Sequence, residues 1–410
     1  MAGMATLLML GPVAPSSAAK LWVGAATASI TPDRPVALYG HAGRRIAQET
    51  KWPLMATAMV LEAREGDDVV GQACTVSCDL LLIPDVLLNE VRARAKQRMP
   101  DFDVDKVFLS ATHTHSAPVM REGRYILPEK GVMRPAQYVD FAAERISDAI
   151  VKAWESRRPG GVSWGLGHAV VARNRRAVYA DGRARMYGAT GCPDFRHIEG
   201  YEDHGVEVLF FWDERKRLTA VAVNVACPAQ QVEGLSKISA DYWHPVRERL
   251  RERYGEDLCV LGWCGAAGDQ SPHLMYRKLA EHRMREGRGL NCLGEIARRI
   301  VAAVDEAYAV AREDIRADAA FAHSVKPITL PRDMLTEEEY EAAKKIYAAF
   351  QAGKQKGDVR RLKTRKIDPH EEQDTDYTLR LESRCFGDVV RSFKIMTDDF
   401  REALGFFVGA

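Results

Sequence analysis

Seven short runs rich in Val, Leu and Phe, at residues 21–28, 55–62, 69–78, 106–111, 206–212, 218–225 and 258–263, alternate with amphipathic stretches. The stretches at 84–99, 135–156, 243–254 and 293–310 repeat apolar residues every three or four positions, as in Ile296, Ile300, Val301 and Val304. A period near two for the first set and near 3.6 for the second predicts strands interleaved with helices, and hence an α/β fold with helices laid on a sheet. No repeat of 20–50 residues is visible, which argues against a solenoid or a propeller.

The 410-residue length allows one large domain or two to three ordinary ones. Lys plus Arg number 58 against 57 Asp plus Glu, so a formal net charge of +1 offers no overall field for a polyanion, and bulk nucleic-acid binding is not expected. No apolar run reaches the roughly 18 residues of a membrane helix. An apolar stretch from Met4 to Leu10, followed by small residues up to Ala19, reads as a secretory signal at 1–19 that lacks the usual basic start, with a disordered leader as the alternative. That reading predicts a secreted or periplasmic protein. Eight cysteines in a chain of this length are too few for a disulfide scaffold. A capping box at Thr336 and Glu339 predicts a charged helical excursion over 334–372; its basic run at 354–366 is a solvated face or a peripheral contact with an anionic membrane.

The sharpest chemical signal is Leu109-Ser-Ala-Thr-His113-Thr-His115-Ser-Ala-Pro118, an apolar strand that runs into two histidines. In extended backbone, positions i and i+2 share a face, so the two imidazoles can bind one metal, or one can bind it while the other carries a proton. The pair taken alone fits equally well with two histidines bonded to nearby backbone.

This segment resembles the zinc-binding segment of the neutral, non-lysosomal ceramidase family. The likeness continues at Val23-Gly-Ala-Ala-Thr-Ala-Ser-Ile-Thr-Pro32, Leu38-Tyr-Gly-His-Ala42, Met59-Val-Leu-Glu62, Ser77-Cys-Asp79, Asn174-Arg175-Arg176, Ile238-Ser-Ala-Asp-Tyr242 and Gly265-Ala-Ala-Gly-Asp-Gln270. The resemblance implies a single large mixed-sheet α/β hydrolase domain over 20–410, without the C-terminal β-sandwich of long ceramidases. It also implies zinc as cofactor and hydrolysis of the amide of an N-acyl lipid by a metal-activated water. By the same likeness His113 would bind zinc, His115 would meet the developing oxyanion or pass a proton, and Gly40 and Arg175 would touch substrate. Asp241 and Asp269 would orient their loops.

The chain departs from the family pattern at several points. Where the family has a zinc histidine before proline, this chain has Cys227-Pro228. Either a thiolate takes that place, since zinc accepts sulfur, or Cys227 is a small buried hydrophobe and the ligand is lost. His244 is a candidate replacement imidazole. The family's serine position is Ala240, with Ser239 one place earlier as the nearest hydroxyl, so the expected catalytic set is His115, Asp241 and Ser239. Near the expected C-terminal glutamate ligand the carboxylates are Asp398, Asp399 and Glu402, of which Glu402 is the choice. The polar stretches 191–204 and 275–288 favour a second reading, a hydrolase of glycans or other polar substrates. The altered ligands leave a third, a binding protein that no longer catalyses.

Overall fold

The computed structural model describes residues 19–41, 43–318 and 323. Residue 1–18 of the leader, the 334–372 excursion and Glu402 therefore lie outside the described residues. Eight strands form the main sheet: β1 (Lys20–Ser29), β2 (Met55–Glu65), β3 (Asp68–Cys78), β4 (Val107–Ala111), β5 (Arg158–His168), β6 (Gly205–Asp213), β7 (Leu218–Val225) and β8 (Cys259–Cys264). The helices are α1 (Asp85–Arg98), α2 (Pro135–Ser156), α3 (Trp243–Tyr254), α4 (Lys278–Gly287) and α5 (Cys292–Ala311).

The strand order is β8-β7-β6-β5-β1-β2-β3-β4, so sequence order runs outward from the centre in both directions. At the centre β1 meets β5 through only Trp22↔Pro159 and Val23↔Arg158. On each side of this seam come two antiparallel pairings and then one parallel pairing, β3 with β4 and β7 with β8. A parallel neighbour needs a crossover, and α1 and α3 supply one each. The two halves thus share one plan, strand-strand-strand-helix-strand-helix, with α4 as an addition in the second half.

The short seam lets the sheet fold over on itself, so that β8 packs on β2, β3 and β4. Between the folded halves lie Leu21, Met59, Leu61, Val162, Leu209, Phe211 and Leu261. Ser77 crosses the same gap: its hydroxyl donates to the Gly262 carbonyl at 2.6 Å and accepts from the Gly262 amide at 3.1 Å. The outer faces carry the helices, α1 and α2 on one core and α3 and α5 on the other. The result is a helix, sheet, sheet, helix sandwich in which apolar surface is buried on both sides of every strand layer. Helix α2 shows why the sequence folds this way. Its Tyr138, Ala142, Ile146, Ala149, Ile150 and Ala153 fall on one face and are all buried. Each such Ile contributes roughly 1.5–3 kcal/mol relative to an exposed one.

Within the described residues the expected strands and helices appear within a few residues of their predicted ends, and β5, α4 and several short strands outside the main sheet are additions. Strand β5 reads Arg-Pro-Gly-Gly-Val-Ser-Trp-Gly-Leu-Gly-His, a composition that strands usually avoid. The glycines are required by packing, because a Cβ on Gly167 would collide with the backbone of α5 at Ala303.

One buried ion pair ties the halves together at the site. Asp79, at the end of β3, accepts from Arg247 of α3 through Nη1 to Oδ2 at 2.6 Å and Nη2 to Oδ1 at 3.0 Å. Both side chains are essentially inaccessible, at 0% and 2% exposure. Asp79 also accepts from the Met55 amide at 2.9 Å and from the Thr112 hydroxyl at 3.1 Å, so the residue before His113 is held by the same carboxylate. Asp79→Ala would strand a buried guanidinium and is expected to lower the unfolding free energy by about 3–5 kcal/mol. Asp79→Leu combined with Arg247→Met should recover much of that loss, which urea unfolding of the three variants would measure.

Candidate active site

The carboxyl ends of the two parallel strand pairs face the same region. The loop after β4 and the loop after β7 are joined by the Ala229 amide to the Thr112 carbonyl at 3.1 Å, and by the Thr114 hydroxyl to the Ser239 carbonyl at 2.7 Å. Ends of parallel strands are where α/β sheets commonly place ligands, because the loops there are free of the ladder.

His113 and His115 come together by a different route from the strand pleat expected above. β4 ends at Ala111, and His113 adopts a left-handed backbone with φ of 61°. This turn brings the two ring centroids to 5.0 Å. A non-glycine residue held at positive φ costs on the order of 1–3 kcal/mol, which the surrounding contacts must offset. The His113 Nδ1 lies 2.7 Å from the Leu81 carbonyl, a bond that assigns the proton to Nδ1 and gives Nε2 the lone pair. Burial, with a smaller repulsion from His115, lowers its pKa to about 3, so the ring is neutral in ordinary conditions.

Around His115 stand groups that no local sequence pattern singles out. Glu233, in the loop after β7, places Oε2 3.0 Å from His115 Nδ1 and 3.9 Å from His41 Nε2. Its Oε1 lies 3.3 Å from Nε2 of His273. Ligand atoms of His41, His115 and Glu233 all fall within 4.8 Å of one another. Both ring nitrogens of His115, and Nε2 of His41 and of His273, are buried and lack a well-aligned hydrogen bond. Three buried nitrogen positions facing one carboxylate, with poor hydrogen-bond alignment, are what a cation site looks like before the cation is considered. Burial alone would raise the Glu233 carboxyl, but the close contacts from His115 and His273 outweigh it and hold it well below the usual carboxylate range. His41 is pushed down by burial and by the Arg45 charge.

Arg45 fixes the backbone beneath this cluster. Its guanidinium donates to the carbonyls of Glu233 at 2.6 Å, Leu235 at 2.5 Å, Tyr39 at 3.0 Å and His115 at 2.6 Å. The planar fork thereby joins three loops, a task a lysine ammonium cannot copy.

The residues expected from the sequence fall into three groups. Gly40, at φ of 96°, lies directly against His115: a Cβ there would sit 2.6 Å from the ring Cγ and 2.8 Å from Nδ1. Arg175 donates to the Tyr187 hydroxyl at 3.1 Å and the Gly268 carbonyl at 2.8 Å, and Tyr187 in turn meets Gln230 and Ser271. Asp269 accepts from the Asn174 side chain at 2.8 Å, so the Asn-Arg and Gly-Asp segments do adjoin.

Asp241 and Ser239 act on the loop rather than in the cluster. Asp241, itself left-handed at φ of 54°, accepts from the Val232 amide at 2.7 Å and the Tyr242 amide at 2.8 Å, and its own amide donates to Ser239 Oγ at 2.9 Å. Burial pushes its carboxyl up to about 6, while the amides pull the other way. Through Val232 it holds the neighbouring Glu233.

Cys227 and His244 are not among the donors that converge. The Cys227 side chain is fully buried in the core shared by α3 and α5, where its Sγ is 3.7 Å from the Pro228 carbonyl. Burial pushes the thiol well above its ordinary value. His244 stacks on Trp52, with centroids 5.8 Å apart. All cysteines among the described residues are free thiols.

Comparison with solved structures finds folds similar to this one among ceramidases. The fold is similar to neutral ceramidase from Pseudomonas aeruginosa, at a TM-score of 0.57 and 20% identity over 73% of this chain and 46% of that one. It is similar also to a ceramidase complexed with C2, at a TM-score of 0.55 and 20% identity over 72% and 45% of the two chains. The chain thus spans about half the length of the ceramidases it matches. No family model and no curated protein matches the sequence. Among the described residues no helix is long and apolar enough to cross a membrane.

Two measurements test the geometry. Because His113 binds its proton less readily folded than unfolded, the metal-free protein should lose stability as pH falls from about 6.5 towards 3. His113→Asn, which tolerates the left-handed backbone, should flatten that acid limb in denaturation measured across the same range. Gly40→Ala should displace the His115 ring and strain the turn, seen as a shifted His115 imidazole resonance with a lowered melting temperature.

Proposed function

We propose that the chain is a metal-dependent hydrolase that cleaves the amide of an N-acyl compound. The observation that carries this reading is the convergence of His41, His115 and Glu233 beside a neutral, backbone-oriented His113 at the ends of the parallel strands. The donor set of two imidazoles and a carboxylate suits zinc, and His113 is oriented as metal histidines usually are, with one nitrogen bonded to a carbonyl. When bound, zinc supplies a Lewis acid that polarises a carbonyl and acidifies a water. In this reading Glu233 takes the place that the resemblance gives to Cys227, whose buried thiol is held in its protonated form.

The chain's own groups do the rest. Arg45 holds the carbonyls of His115 and Glu233 and so fixes both donors from behind. Arg175, anchored by Tyr187 and Gly268, offers its guanidinium to polar groups of the substrate. His273, 3.3 Å from the far oxygen of Glu233, is placed to carry a proton to the leaving nitrogen. In the balanced reaction the water oxygen bonds to the acyl carbon, the proton the water gives up passes through His273 to the nitrogen, and the C–N bond breaks to leave a carboxylic acid and the amine.

Likeness to the ceramidases supports an N-acyl lipid as substrate, and the many charged side chains around His273 support a more polar one on the same site. Metal analysis of the purified protein is expected to give about one zinc per chain, with loss of metal in His115→Ala and Glu233→Gln. Both variants should lose amide turnover of a fluorescent ceramide or shorter N-acyl amines by about 100-fold or more. Retention of zinc in both variants but loss in Cys227→Ser would return the ligand role to the cysteine.

A further inference from the structure

A cavity of about 350 Å³ includes His273 in its lining. His273 and Gln231 form the wall nearest the cluster, and the rest is built largely from the α4 and α5 helices. Its charge is lopsided. Arg173, Lys278, Arg285 and Arg299 line it with only two carboxylates, Glu281 and Glu295.

Those carboxylates are already shared. Glu295 takes Arg298 at 2.8 Å, Arg299 at 2.9 Å and Arg288 at 3.5 Å, and Glu281 takes Arg299 at 2.7 Å and Arg173 at 3.7 Å. Arg299 also donates to the Val170 carbonyl at 2.7 Å, so it is a fixed part of the wall. Lys278 and Arg285 are different: neither has a carboxylate partner among the described residues, and Arg285 donates only to Nδ1 of His282 at 2.8 Å. A concave, cation-rich site with two unneutralised charges attracts an anion.

We infer that this cavity receives an anionic group, carboxylate or phosphate, on the amine portion of the substrate, with Lys278 and Arg285 as its contacts. The inference rests on the hydrolytic reading and narrows it. The scissile amide lies at the cluster, the acyl side points away from His273, and the leaving amine extends past His273 into the cavity. His273 is then the one side chain common to the bond that breaks and the group that is recognised. A neutral sphingoid amine would leave Lys278 and Arg285 unused, so the preferred substrate differs in charge from a ceramide.

Calorimetric titration of the full chain in excess chelator, where the proposed metal-dependent cleavage is off, separates this inference from the reading beneath it, with turnover assayed separately after zinc is restored. The probes are N-lauroylglutamate, the N-lauroyl amide of phosphoethanolamine, and neutral N-lauroylethanolamine. The wild type should bind at least one anionic probe more tightly than the neutral one, and the tighter of the two identifies the headgroup. Lys278→Ala with Arg285→Ala, both on the outer helix α4, should weaken that probe about tenfold or more while leaving the neutral probe unchanged. Equal weakening of all three probes, or no change in any, overturns the cavity assignment. If the charge-dependent loss appears but no probe is hydrolysed, the anion site stands and the hydrolase reading fails. If turnover is found with KM unaffected by the double substitution, the hydrolase reading stands and the anion site fails.

Discussion

The Asp79–Arg247 pair carries more of this structure than its size suggests. A carboxylate at the end of β3 and a guanidinium from α3 belong to different halves of the molecule, and both are withdrawn from water. Burying two charges is costly, and their mutual attraction repays it only when every donor and acceptor is used. Asp79 meets that condition through Arg247, Met55 and Thr112, whereas Arg247 uses Nη1 and Nη2 and leaves its buried Nε without a partner. Because Thr112 precedes His113, the same carboxylate that joins the halves fixes where the histidine turn begins. The weak central seam between β1 and β5 makes such a tie necessary, since only two residue pairs join the four-stranded halves there.

From this anchor the site is assembled by convergence. His113 and His115 arrive on the loop after β4, Glu233 on the loop after β7, and His41 on the turn that follows Gly40. Arg45 and Asp241 hold those loops by their backbones, Arg45 from one side through four carbonyls and Asp241 from the other through the Val232 and Tyr242 amides. Backbone anchoring leaves the imidazoles and the Glu233 carboxylate available to a ligand. Gly40 is the steric counterpart, since any side chain there would occupy the place of the His115 ring.

How much of this can be read in the sequence depends on whether the signal is local. The strands and helices with a clear apolar period were legible, and so was the pair His113 and His115. β5 was not, because its glycines answer to partners far along the chain, Gly165 and Gly167 to α5, Gly160 to Trp212 and Gly161 to Ile315 and Arg316. The fold-over of the two halves was not legible either, since strand order depends on contacts that no local pattern contains. Glu233 sits in Gln230-Gln-Val-Glu-Gly234, which reads as an ordinary polar loop, and only its place just after the strand end beside Cys227-Pro228 distinguishes it. His41 follows Gly40 in a turn segment where the glycine carries the stronger local signal. The geometry expected for His113 and His115 was an extended strand; a left-handed turn achieves the closeness instead, and such a turn leaves no mark in a sequence without glycine.

The balance of charge at the site links its two compartments. Glu233 brings one negative charge close to His41, His115 and His273, and the cavity past His273 carries an excess of positive charge. An anionic substrate approaching the imidazole cluster alone would meet the Glu233 carboxylate. Arriving through the cationic cavity, it is drawn in by Lys278 and Arg285, while a divalent ion on Glu233 would remove the remaining repulsion. Under the proposed reading the two features would support one another: the carboxylate would give a cation its site, and the cation would make that site acceptable to a negatively charged molecule held next door.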